Sequence, residues 1–348
     1  MIIINIKGGI IMKYSSDKKQ TIILYILDKI ESGEKSISKV VSEAFNISTN
    51  TVHTYLTELI NNNVIIKLKR GEYKLVSEKT LHTFKRSDGE LESDTMAFDV
   101  CLSKKIEHLS ENIQHIWAYA LNEMVNNVID HSNAENMQVY VIQNYLNTSV
   151  VILDDGIGIF EKIKKHFQFT SLDEAICELF KGKLTTDKEN HSGEGIFFTS
   201  RMMDEFLISS SGKIFTTTKY NNDELISMRE SITGTCVAMS LSNFTQKTAR
   251  EIFDMYSDTD GSFTTTRIPL KNIFESAPVS RSQAKRICNR LENFEDVIID
   301  FENISWMGQG FAHQLFVVFK KAHPEINLIS ENMNESVANM YNHVINSN

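Results

Sequence analysis

The feature that most constrains this chain is VVILDDGIGIF, residues 150–160, where an apolar run ends in two aspartates and a glycine-spaced turn. Such a run reads as a buried strand, and it delivers Asp154 to the strand end. Gly156 and Gly158 then predict positive-φ backbone and close approach of a ligand to the main chain. A carboxylate held there can accept a hydrogen bond from an exocyclic amine such as adenine N6. The turn is not a dinucleotide fingerprint, because Glu161 stands where the third glycine is needed.

Three further elements accompany it in a fixed order. NEMVNNVIDHS, residues 122–132, lies in a long predicted helix over 109–131. There Glu123 and Asn127 are four apart and share a face, so a carboxylate and an amide oxygen can together position a water and ligate Mg²⁺. HSGEGIFFTSRMMDEF, residues 191–206, opens a helix at Gly193 and Gly195, whose backbone N–H groups can receive phosphate. Lys181, Lys183, Lys188 and His191 precede it and are expected as electrostatic partners of that phosphate. Gly182-Lys183 is not a P-loop, since Cys177 and Leu184 occupy positions that require Gly and Ser or Thr. Finally, the strand GTCVAMS, 234–240, offers the Thr235 hydroxyl beside Asp154.

In combination these elements resemble the GHKL (histidine kinase/gyrase/chaperone-like) family, which includes gyrase-type ATPases, sensor histidine kinases and anti-sigma-factor serine kinases. Glu123 and Asn127 match its N box, Asp154, Gly156 and Gly158 its first glycine box, Gly193 and Gly195 its second, and Thr235 its terminal Gly-Thr. The resemblance implies ATP and Mg²⁺ as cofactors. Asp154 would read the adenine amine, Asn127 would hold Mg²⁺, the helix start at Gly193 and Gly195 would cradle phosphates, and 160–192 would form a lid. Glu123 would be the base or water-orienting catalytic group. The second glycine box departs from the pattern in having only two glycines, followed by Ile196-Phe197-Phe198.

On the N-terminal side, helical spacing over 17–31, a short helix over 38–45 and a third helix capped by Ser48 precede IIKLKRGEYKLV, which alternates around Arg70-Gly71 as a hairpin. This order describes a winged helix-turn-helix. Thr49, Asn50, Thr51 and His53 would face DNA bases, and Lys67, Lys69 and Arg70 of the wing would meet phosphates. No Arg or Lys lies within 46–63, and Glu58 does, so a winged helix used for protein contacts remains the alternative. On the C-terminal side, strands and helices alternate from 264 onward, beginning with TTTRIPL. IIDFENISWMGQGFAHQL resembles the STAS-like domains of anti-sigma-factor antagonists. Their acceptor serine has no counterpart in Met307-Gly308-Gln309-Gly310, and Ser305 lies too early, so an interaction role is expected instead of phosphorylation.

The fold class is therefore multidomain α+β: a winged helix, a GHKL α/β sandwich and a small STAS-like α/β sandwich. The divisions fall at 1–14 (an extension, with Met12 an alternative start to Met1), 15–78 (winged helix), 79–96 (linker), 97–243 (ATP-binding), 244–261 (linker) and 262–348 (STAS-like). Net charge is −9, but residues 1–80 carry 12 Lys and Arg against 8 Asp and Glu, which leaves −13 on the remainder. That asymmetry suits a basic module on an acidic body. Four scattered cysteines without C-x-x-C pairing indicate reduced thiols, no apolar run approaches the roughly 18 residues of a membrane span, and a cytoplasmic protein is expected.

The expected activity is ATP-controlled regulation, ATPase chemistry included, with the nucleotide state governing the winged helix, which would contact DNA or protein, and a protein partner of the STAS-like domain. The resemblance also carries homodimers as a family precedent. The alternatives are a protein serine kinase acting on a separate partner and a nucleotide-sensing scaffold without turnover. His108 and His115 sit on or beside the N-box helix and lack the separate helix pair of a phosphoacceptor histidine.

Overall fold

The computed structural model describes residues 17–184, 193–217, 233–274 and 276–347, so the 1–14 extension lies outside the described residues. The chain begins with three helices, α1 (Asp17–Glu31), α2 (Ile37–Phe45) and α3 (Thr49–Asn61), and an antiparallel hairpin of β1 (Ile65–Lys69) and β2 (Glu72–Leu75). Ser48 caps α3 by accepting from the Thr51 N–H, which satisfies one of the helix's unpaired donors. Ile22, Ile23, Ile26, Val41, Val52, Leu56 and Leu59 converge in a core of their own. The hairpin differs from its expected alternation: Ile65 is buried, while Ile66 and Leu68 are 45% and 59% exposed.

The stretch expected as a linker over 79–96 is not one. Residues Glu78–Lys85 form β3, the edge strand of a six-stranded antiparallel sheet, and helix α4 (Asp94–Phe98) follows. Only Phe84 of β3 is fully buried, so its pattern carries little apolar signal although every residue is in register with the next strand. The remaining strands are β4 (Asn136–Gln143), β5 (Asn147–Asp154), β6 (Glu205–Ser210), β7 (Lys213–Thr216) and β8 (Thr235–Ser242), in spatial order β3-β4-β5-β8-β6-β7. One face packs under α5 (Lys104–Ile106), α6 (Glu111–Asn126), α7 (Ile159–Phe167), α8 (Leu172–Lys181) and α9 (Gly195–Met202), with Trp117, Leu121 and Val125 of α6 fully buried. After Asn126 the long helix widens into a π-helical turn, Asn127–Ser132; such turns recur at functional sites.

The 244–261 segment, also expected as a linker, contains α10 (Ala249–Tyr256), fixed by a capping box between Thr248 and Glu251. Beyond it β9 (Thr265–Pro269), β10 (Asp296–Asp300) and β11 (Asn327–Glu331) form a parallel sheet in the order β11-β10-β9. The crossovers are helical, including α11 (Arg281–Cys288) and α12 (Gln309–Ala312), and α13 (Glu335–Asn346) closes the unit. Parallel pairing demands such crossovers. The buried residues of this unit and of the helix-covered face of the six-stranded sheet belong to one continuous core, from Phe84 to Val344, while Val151, Leu207, Cys236 and Ala238 cluster on the sheet's other face.

Candidate functional site

One cavity of about 240 Å³ lies between α6, the turn after β5, α8 and the start of α9. Glu123, Asn127, Asp154, Gly193, Gly195 and Thr235, predicted from four separate motifs, all line it. Its walls are otherwise largely apolar, through Met124, Val128, Ile157, Ile163 and Leu179. An apolar slot with a few convergent polar groups is the usual make-up of a small-molecule site.

The strands set the deep end. Asp154 and Thr235 are register partners on β5 and β8. Asp154 is 6% exposed, and its Oδ1 accepts from the Gly156 N–H at 2.9 Å. Burial pushes its carboxyl up to about 6, against the pull of the hydrogen bonds from Gly156 and Thr235. Gly234 explains why the Gly-Thr pair matters: its φ is +102°, and a Cβ there would lie 2.2 Å from the Asp154 carbonyl oxygen.

Gly156 and Gly158 act differently from the positive-φ expectation, since neither is among the positive-φ residues. Their role is close approach. A Cβ at Gly156 would sit 2.2 Å from the Ser132 carbonyl oxygen, and one at Gly158 would sit 2.4 Å from Ser210 Oγ. These glycines flank the cavity and let the turn press against the π-helical segment and β6.

At the other end, Asn127 Nδ2 donates to the Glu123 carbonyl at 2.9 Å, so the two residues share one wall as the four-residue spacing requires. Gly195 is where α9 meets α6, for a Cβ there would fall 1.9 Å from Glu123 Oε2. Glu123 and Asn127 supply hard oxygen donors on one wall, a set that fits Mg²⁺ held by one or two protein groups plus phosphate and water. Among the described residues no group of three or more His, Cys, Asp or Glu could hold a metal.

The lysines expected at the phosphates are elsewhere. Lys181 is 1% exposed and its Nζ donates to Glu178 Oε1 at 2.6 Å, to the Arg286 carbonyl at 3.1 Å and to the Asn289 carbonyl at 2.5 Å. Lys183 Nζ donates to the Asn293 carbonyl at 2.8 Å and lies over the Phe294 ring. Both bind the C-terminal unit, because the helix that carries Lys181 turns its charged side away from the cavity. Lys188 and His191 lie outside the described residues. Sequence reasoning missed His131, Ser132 and Lys162, which do line the cavity. The signal available for Lys162 was the apolar i, i+4 pair Ile159 and Ile163, which marks 159–167 as a helix.

The part of the expected lid that is described is therefore a wall shared with the C-terminal unit. Glu178 also accepts from Asn289 Nδ2 at 3.0 Å and pairs with Arg290 at 3.4 Å, and Thr266 Oγ1 donates to the Lys181 carbonyl at 2.7 Å. The departure after the second glycine box has the same explanation. Phe197 and Phe198 pack with Tyr256 and Phe263, and Phe263 packs on Phe294. Ile196-Phe197-Phe198 thus joins α9 to the C-terminal core.

In the N-terminal unit Thr49, Asn50 and His53 are exposed at the start of α3 and Thr51 is half-buried, its N–H bonded to Ser48. Lys67, Lys69 and Arg70 are exposed along the hairpin. Apart from Thr51, the groups expected to meet bases and those expected to meet phosphates are thus solvent-facing. No helix among the described residues is long and apolar enough to cross a membrane.

No curated protein matches this sequence. Residues 283–338 match the family model described as a STAS-like domain of unknown function (DUF4325). The match runs from within α11 to within α13, so the unit built on the parallel sheet contains a STAS-like domain.

Proposed function

We propose that the cavity is a Mg²⁺–ATP site of the GHKL type in a regulatory protein. The supporting observation is the convergence of Glu123, Asn127, Asp154, Gly193, Gly195 and Thr235 on one cavity, with Asp154 buried and Thr235 paired beside it. Asp154 accepts from the exocyclic amine of adenine. Asn127 holds Mg²⁺, whose chemistry is to neutralise phosphate charge, while the backbone at Gly193 and Gly195 faces the phosphates. Glu123 orients the attacking water for slow hydrolysis.

The output runs through α8. Leu179 touches the cavity while Glu178 and Lys181 of the same helix grip Asn289 and Arg290 of the STAS-like unit. A change of wall position on nucleotide binding is felt directly at that unit, which presents its outer surface to a protein partner. The three-helix unit is a winged helix tied to the β4–β5 turn through Glu31. Exposed Ile66 and Leu68 beside Lys67 and Lys69 favour a protein partner for its wing over DNA alone.

Incubation of the purified chain with terminally labelled Mg²⁺–ATP tests the reading. Free phosphate that disappears in Glu123→Ala supports it. Stable label on a partner protein would make the chain a protein kinase, and binding without turnover would make it a sensing scaffold.

A further inference from the structure

Among the described residues, Lys181 and Lys183 cannot serve a phosphate chain, because they are committed to the C-terminal unit. One ammonium among the described residues does line the cavity. Lys162, on α7, is half-buried, and its Nζ donates to the His131 carbonyl at 2.8 Å across from the π-helical end of the N-box helix. It forms no ion pair among the described residues. Burial lowers its pKa, and the charge of Asp130 opposes that shift. A partly desolvated ammonium with one backbone acceptor is under-compensated, and an anion brought into the cavity relieves it. The carboxylates of the cavity, Glu123 and Asp154, cannot share that role, since they project from α6 and the end of β5 and repel phosphate.

We propose that Lys162 is the residue that binds the anionic phosphate chain of the nucleotide, tethered for this purpose by the His131 carbonyl. This rests on the nucleotide reading and adds to it a residue outside its four motifs. The backbone anchor fixes the ammonium on the N-box side of the cavity, where Asn127 also lies. Phosphate charge is then met from α7.

The test is calorimetric titration of adenosine, ADP and ATP, with Mg²⁺, into the full chain and into Lys162→Met and Lys162→Arg. Lys162→Met is expected to bind adenosine within about twofold of wild type, yet to lose about tenfold or more for ADP and ATP. Lys162→Arg should recover most of that loss. Retained adenosine binding shows that the variant's pocket is intact. Equal loss for all three ligands, loss of folding in both variants, or no loss at all would overturn the assignment of Lys162 to phosphate. Failure of the wild type to bind any of the three would instead overturn the nucleotide reading itself.

Discussion

The two flanking units are attached to the central sheet in opposite ways. The N-terminal helices keep a separate core and touch the rest through polar groups of one loop, where the Glu31 carboxylate accepts from Asn144 and Asn147. Tyr145 and Leu146 of the β4–β5 turn add an apolar footing. The C-terminal unit shares the central core and is joined through the buried Glu178–Lys181 pair and the Phe197–Phe263 cluster. A unit with its own core and solvent-facing ties can move against its neighbour, whereas one that shares a core unfolds with it. The C-terminal unit is thus part of the cavity's frame, whereas the N-terminal unit keeps a core of its own.

The largest expected effect breaks that frame. Lys181→Ala leaves Glu178 buried without its nearest cation and should cost about 3–5 kcal/mol in denaturant unfolding of the joint core. If the cost falls on the C-terminal unit alone, in a separate transition, the shared core is refuted. Gly234→Ala comes next. Its positive φ and the approach to the Asp154 carbonyl predict about 1–3 kcal/mol of backbone strain, together with loss of nucleotide binding.

A third measurement sharpens the deep end of the cavity. Asp154 must be ionised to accept strongly from adenine, and its pKa is raised to about 6. Affinity for adenosine, a ligand without titrating phosphates, should therefore fall about tenfold from pH 7 to pH 5. The dependence should vanish in Asp154→Asn. For the fold the sign is reversed. The folded pKa exceeds the ordinary carboxylate value of 3.8, so Asp154's share of stability is lost as pH rises from there through 6. The smallest effect concerns the N-terminal tie: Glu31→Ala should leave the main unfolding transition unmoved while speeding amide exchange in α1–α3. Unchanged exchange would mean that the apolar footing, not Glu31, holds the unit.

Most of what was legible in the sequence was local. The order of helices and strands in both flanking units and the capped start of α3 follow from periodicity and spacing, whereas the meeting of Glu123, Asn127, Asp154 and Thr235 is implied by the family resemblance of their motifs taken together. What escaped depends on partners distant in the chain. The edge strand β3 buries only Phe84 on its inward face, so nothing in residues 78–85 announces pairing with β4. The direction of Lys181 depends on carbonyls more than a hundred positions later, at Arg286 and Asn289. A lysine-rich stretch between two glycine motifs reads as a phosphate-facing loop until the domain that absorbs those lysines is in place. The conformation of Gly156 and Gly158 shows the same limit: the turn needed room for Ser132 and Ser210, not positive φ.

The central claim is that this cavity takes Mg²⁺–ATP through the N-box wall. Titration of Mg²⁺–ATP into wild type and Asn127→Ala, with Mg²⁺ present and then removed by chelation, addresses it most directly. The account predicts saturable, Mg²⁺-dependent binding to wild type, and loss of that binding in Asn127→Ala with the unfolding transition preserved. Binding that survives both Asn127→Ala and removal of Mg²⁺, or no binding by wild type, would contradict it.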